Sequence, residues 1–149
     1  MAFREILTLL PAVVGPTASG KTALAIALGK HLSCEIVSCD SMQIYREMDI
    51  GTAKPSCEER AALPHHLIDF LPPGTPYSAA DYAADAYRAV TAILSRGSLP
   101  LFCGGTGLYL EAARRGGEEH SEIPGATAVR ERLADEAATL GNEALWNRL

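Results

Sequence analysis

The chain has 149 residues, 48% hydrophobic and 21% charged, with 13 basic against 18 acidic side chains and a net charge of −5, the profile of a soluble globular domain able to bury its own core. A membrane span is excluded, because Arg4, Glu5, Pro11 and Gly15 hold the longest N-terminal apolar run far below the roughly 20 residues required. Broad nucleic-acid binding is also disfavoured, since it draws on clustered Lys and Arg, whereas a specific RNA site stays open.

The run 6–14 is the first strand candidate, and Pro11, which has no backbone donor, confines its pairing to 12–14. A helix is predicted from about Lys21 to Leu32, with Leu24, Leu28 and Leu32 on one stripe, followed by a strand at 35–38. Residues 40–65 show no periodicity, and a loop of that length inside a compact domain is usually functional. A third strand is expected at 66–70. Ser78 and Asp81 form a capping-box pattern that opens a second helix carrying Tyr82, Ala86, Val90, Ile93 and Leu94 until Gly97 ends it. A fourth strand is expected at 99–103. Past Gly107 the pattern predicts a short helix over 108–115 and a polar break over 116–125. A helix over 126–149 follows, with Val129, Leu133, Ala137 and Leu140 on one face and no stop signal. Strands alternating with helices predict an α/β fold with a parallel sheet.

Cys34, Cys39, Cys57 and Cys103 are scattered without a C-x-x-C pair, so reduced and mostly buried thiols are expected rather than zinc or a disulfide framework. His65-His66 lacks a third ligand nearby and reads as structural. No cleavage-like site accompanies the N-terminal apolar run, and the protein reads as cytoplasmic.

Gly15-Pro16-Thr17-Ala18-Ser19-Gly20-Lys21-Thr22 matches G-x-x-x-x-G-K-[ST] and stands after a strand and before a helix, as a phosphate loop must. The glycines let successive N–H groups turn inward, the helix N-terminus adds partial positive charge, and Lys21 adds a full one. A diphosphate or polyphosphate fits there, with the Thr22 hydroxyl placed to bind Mg²⁺. This makes the fold P-loop NTPase-like. Asp40, at the carboxyl end of the second strand, suits three roles: magnesium carboxylate, general base, or cap of the following turn. Gly104-Gly105-Thr106-Gly107 lands on the same sheet edge, either as a ligand loop or as a plain strand-to-helix turn.

Four segments in order, GPTASGKT at 15–22, DSMQIYREMDIGTAKP at 40–55, HHLIDFL at 65–71 and PLFCGGTGLYL at 100–110, resemble the bacterial tRNA dimethylallyltransferases, closely over 6–110 and loosely over 111–149. The resemblance implies transfer of a dimethylallyl group from its diphosphate to N6 of the adenosine 3′ of the anticodon. The phosphate loop would then hold a prenyl diphosphate, not ATP. It further implies that Asp40 takes the amine proton, that Thr106 lies near the reacting centre, and that Ser41, Met42 and Gln43 line the pocket for an extruded base. Arg130 would approach the tRNA, with a solvated helix face as the plainer alternative. Mg²⁺ as cofactor and a monomeric full-length enzyme complete the expectation.

Glu47 stands where that family usually has Gly, and Arg114-Arg115-Gly116-Gly117 departs from its pattern. The expected organisation is an incomplete catalytic core at 1–110 and the truncated start of a helical tRNA-binding insert at 111–149, and the isolated piece is expected to be poorly active. The competing readings are a P-loop kinase of a small metabolite using ATP and a non-catalytic nucleotide-binding module.

Overall fold

Parallel strands with helices on both faces organise the chain in a computed structural model that describes residues 10–115 and 126–147. Two compact units, Met1–Glu118 and Glu119–Leu149, make up the chain. In the first, β1 (Ala12–Val14), α1 (Lys21–Leu32), β2 (Cys34–Cys39), α2 (Cys57–Ala62), β3 (His65–His66), α3 (Ala79–Ser95), β4 (Leu99–Gly104) and α4 (Gly107–Arg114) follow one another. The sheet order is β1-β4-β2-β3 and every pairing is parallel. Pairing in β1 is confined to Ala12–Val14, and Pro11 takes part only through its carbonyl, which accepts from the Phe102 N–H at 3.0 Å. Residues 6–9 of the expected first strand lie outside the described residues.

β2 is buried at all six positions, so its two faces feed two cores. Ile36 and Cys34 join Ala25, Leu63, Leu101 and Cys103 on the α1 side. Val37 and Cys39 join Tyr82, Ala86, Val90, Ile93, Phe102 and Tyr109 on the side of α3 and α4. Tyr82 stacks on Tyr109 at 4.3 Å, and its hydroxyl, 2.9 Å from the Cys39 sulfur, also donates to the Ser38 carbonyl. Burial pushes the Cys39 thiol up to about 12. Cys34 and Cys103 are likewise buried, Cys57 is exposed, and all four thiols are free.

The capping box on α3 is formed as predicted, with Ser78 and Asp81 each accepting the other's backbone N–H. Gly97, at φ 76°, follows the last turn. Three other expectations are corrected. On α1 the buried residues are Ala25 and Gly29, while Leu24 and Leu32 are 53% and 52% exposed. The reason is close approach: a Cβ on Gly29 would lie 2.2 Å from Leu63 Cδ2, so small residues face the core, and of the predicted stripe Leu28 packs against it while Leu24 and Leu32 do not. β3 spans two residues, not 66–70, because Leu67 and Asp69 both adopt φ 58°, which breaks the extended ladder. The chain then pairs with the 43–46 segment, the Asp69 and Phe70 N–H groups donating to the Gln43 and Ile44 carbonyls at 2.9 Å. Finally, the aperiodic 40–65 loop contains α2, opened by a Ser56/Glu59 capping box that a scan for S-x-x-E would find.

α4 is buried against the sheet through Tyr109, Ala112 and Ala113 and belongs to the first unit, although it runs past residue 110. In that second unit, α5 (Ala126–Leu140) and α6 (Asn142–Trp146) replace the single helix expected over 126–149, because Gly141 at φ 83° ends the first. The expected apolar stripe stays half-exposed, with Val129, Leu133 and Leu140 at 45%, 42% and 57%. The polar break at 116–125 and residues 148–149 lie outside the described residues. No described helix is long and apolar enough to cross a membrane.

Glu35 is the acidic exception inside β2 and is only 8% exposed. Arg96 donates to it twice, at 3.2 and 2.7 Å, and His66 Nε2 lies 2.7 Å from Oε2, so one carboxylate ties β2, β3 and the end of α3 together. The Arg96 hydrogen bonds hold its pKa at about 2, outweighing the opposing effect of burial. A depressed carboxylate stabilises the fold above its ordinary pKa and loses that contribution as pH falls through the folded value. Between about pH 4.5 and 2, Glu35→Gln should therefore lose stability less steeply than the parent chain, from a lower starting point at pH 7, in urea melts across that window.

Candidate functional site

The phosphate loop leaves β1 and ends on α1, whose first residue, Lys21, follows Gly20 at φ 82°. Ala18, at φ 64°, is the second left-handed residue of the loop, and the two let the backbone wrap back on itself. Lys21 arches over the loop and donates from Nζ to the Pro16 carbonyl at 2.5 Å. Gly15 packs close, since a Cβ there would lie 3.2 Å from Ser19 Oγ.

The second Gly-rich loop is shaped by contact with the rest of this edge. A Cβ on Gly104 would lie 2.2 Å from the Cys39 carbonyl oxygen, and one on Gly105 would lie 3.3 Å from the Gly15 oxygen. Only a bare backbone lets β4 exit between β2 and the phosphate loop. Thr106 donates its N–H to the Cys39 carbonyl at 2.9 Å, and its Oγ1 accepts the Ser41 N–H at 3.0 Å and donates to Ser41 Oγ at 3.3 Å. Thr106 thereby holds the turn that carries Asp40.

Asp40 Oδ1 accepts from the Met42 N–H at 3.0 Å and the Gln43 N–H at 3.3 Å, so the capping role is realised. Both bonds fall on Oδ1, which leaves Oδ2 with acceptor capacity. The two roles are compatible within one carboxylate.

A cleft of about 340 Å³ opens between these elements. Thr17, Ala18, Ser19, Gly20, Lys21 and Thr22 line one side, and Asp40 and Gln43 stand on its wall with Gly104. Ile36, Ser38 and Cys103 contribute from the sheet, and Thr52, Ala53, Pro55, Glu59 and His65 complete the lining outside the phosphate loop. Gly15, Pro16, Ser41, Met42 and Thr106 are not on the wall. Ser41 and Thr106 brace it from behind, and Met42 is 47% exposed. The Arg130 side chain lies outside the described residues, though its position falls within α5.

Sequence reasoning missed the part of the wall outside the phosphate loop. Gln43 donates from Nε2 to the Thr52 and Ala53 carbonyls at 3.1 and 3.0 Å, which folds the 43–55 segment back on the cleft. His65, read as purely structural, lies about 2.7 Å through Nδ1 from the Leu63 carbonyl, while its buried Nε2 has no hydrogen-bond partner. Burial lowers its pKa and favours the neutral ring. Arg114 and Arg115 are committed to Glu111, which they hold at about 2.

Among the described residues no group of three or more His, Cys, Asp or Glu side chains could hold a metal ion. The cleft offers instead the Thr22 hydroxyl and the Asp40 carboxylate, hard oxygen donors that suit Mg²⁺ if phosphate and water complete its shell.

Glu47 adopts φ 62°, a left-handed conformation that glycine takes without strain. A left-handed L-residue costs roughly 1–2 kcal/mol, whereas glycine loses about 0.4–1 kcal/mol through the unfolded chain. Glu47→Gly is expected to stabilise the protein by about 0.5–1 kcal/mol in denaturant titration, with a loss of stability as the contrary result.

A phosphate loop and a strand-end carboxylate converging on one edge of a parallel sheet define a P-loop-like α/β protein. The IPP transferase family pattern matches residues 43–149, and the isopentenyl transferase pattern matches residues 8–69. The chain belongs to the IPP transferase family. Its similarity extends past residue 110, where the motifs become sparse, to residue 149. A tRNA dimethylallyltransferase of Desulfotalea psychrophila is 53% identical over 92% of this chain and 43% of its own length. One from Stenotrophomonas maltophilia is 56% identical over 93% and 43%. The full-length tRNA isopentenylpyrophosphate transferase of Bacillus halodurans superposes with a TM-score of 0.72 at 43% identity, over 93% of this chain and 46% of that one. The chain thus spans less than half the length of the curated relatives it matches.

Proposed function

We propose that the protein containing this chain transfers a dimethylallyl group from dimethylallyl diphosphate to N6 of the adenosine immediately 3′ of the tRNA anticodon (adenosine 37). The observation that carries this reading is the cleft itself, where the phosphate loop and Asp40 face a common space. The new N6–C1 bond forms as the allylic C1–O bond breaks, diphosphate departs, and the N6 proton passes to Asp40. Lys21 and the loop N–H groups stabilise the charge that develops on the leaving group. Thr22 is the residue that would hold Mg²⁺, which when bound supplies further positive charge at the diphosphate. Asp40, fixed by its own turn and by Thr106 behind it, sits at the edge where a base extruded from the anticodon loop arrives. With a net charge of −5, tRNA is held by specific contacts, to which Arg130 and the Ser41–Gln43 turn contribute, not by a general basic field. The enzyme acts in the cytoplasm as a monomer.

Competition binding separates this from an ATP-using kinase. Radiolabelled dimethylallyl diphosphate should bind the full-length protein and resist displacement by ATP. Tight ATP binding that displaces the prenyl diphosphate would overturn the reading.

A further inference from the structure

The part of the cleft wall that Thr52 and Ala53 supply is built from irregular backbone. Glu47, Gly51 and Ala53 adopt φ of 62°, 81° and 51°, and Asp69, against which this segment rests, adopts 58°. Left-handed L-residues persist only where surrounding contacts over-determine them. Lys54 lies at the centre of those contacts. Its neighbours Ala53 and Pro55 both face the cleft, while its own side chain turns away and is 2% exposed. Nζ donates to the Tyr45 carbonyl at 2.8 Å, to Asp49 Oδ1 at 2.7 Å and to Asp69 Oδ1 at 2.9 Å. These acceptors come from three separate points of the chain and use all three ammonium donors. Arg60 holds the other oxygen of Asp69 at 2.9 Å, so the anchor is itself fixed to α2.

We infer that Lys54 is a positioning residue: its buried ammonium locks the strained 47–53 segment so that Gln43, Thr52 and Ala53 form the cleft wall outside the phosphate loop and confine the prenyl end of the donor. The claim rests on the dimethylallyl-transfer reading for its substrate. Its chemistry is separable from the phosphate loop, because Lys54 touches neither the loop nor the diphosphate end of the cleft. Losing the lock therefore weakens recognition of the whole donor while leaving bare diphosphate binding in place.

The test uses the full-length enzyme. Lys54→Met keeps the stem and removes the charge. It should raise KM for dimethylallyl diphosphate by about 10-fold or more, with kcat and the affinity for inorganic diphosphate changed by no more than about threefold. Asp49→Asn removes the charge of one partner, whose side chain is 66% exposed, and should shift KM in the same direction by about two- to threefold without threatening the fold. Unchanged KM in both variants overturns the inference, as does a parallel loss of inorganic diphosphate affinity, which would mean general damage. Should Lys54→Met fail to fold, Asp49→Asn together with Lys54→Arg decides, and wild-type KM in both counts against it. Parent enzyme that binds inorganic diphosphate but not dimethylallyl diphosphate would instead refute the transfer reading itself.

Discussion

Lys21→Ala in the full-length enzyme is expected to lower dimethylallyl transfer by at least about 10²–10³-fold while leaving unliganded stability within about 1 kcal/mol. The first half follows from position. Lys21 opens α1 where the phosphate loop closes and lines the cleft in which, on the proposed reading, the leaving diphosphate is stabilised. The second half follows from its partner: among the described residues Nζ donates to the exposed loop carbonyl of Pro16, an interaction water replaces at little cost. Thermal unfolding without ligand and single-turnover transfer check the two halves on the same preparation. Unfolding of the variant would make Lys21 structural, and wild-type turnover would remove the phosphate assignment.

What was legible in the sequence was whatever local chemistry dictates. Glycines and Lys21 at fixed spacing identify a phosphate loop, Pro11 trims a strand to Ala12–Val14, and Ser78 with Asp81 starts a helix wherever it is placed. What stayed hidden depends on contacts between distant residues. The inward face of α1 is set by Leu63 meeting Gly29, which no periodicity within the helix reveals. The end of β3 is set by Leu67 and Asp69 turning left-handed to satisfy the 43–46 segment and Lys54. The same non-local logic hid half of the site. The phosphate loop and Asp40 announce themselves, but Thr52 and Ala53 reach the cleft through the Gln43 side chain that holds their carbonyls, and His65 through the pairing of β3 with β2 at Ile36.

The strongest test of chemistry at this site compares two substitutions at Asp40. Asparagine keeps an Oδ1 acceptor, so the turn made with the Met42 and Gln43 N–H groups survives, yet it has no carboxylate to take a proton. Asp40→Asn should therefore retain diphosphate affinity and fold stability while single-turnover transfer to tRNA falls by roughly 10²–10⁴-fold, the usual worth of a general base. Asp40→Ala loses the turn as well and should add a destabilisation of about 1–2 kcal/mol, visible in denaturant titration and absent from the asparagine variant. The comparison separates the three roles that an isolated aspartate at a strand end permits. Wild-type turnover with weakened folding would reduce Asp40 to a cap. Loss of diphosphate affinity equal to the loss of rate would make it a magnesium ligand. Lost rate in both variants, with folding impaired only in alanine, places the proton on Asp40 and leaves Thr106, which holds the turn through the Ser41 N–H at 3.0 Å, as its support.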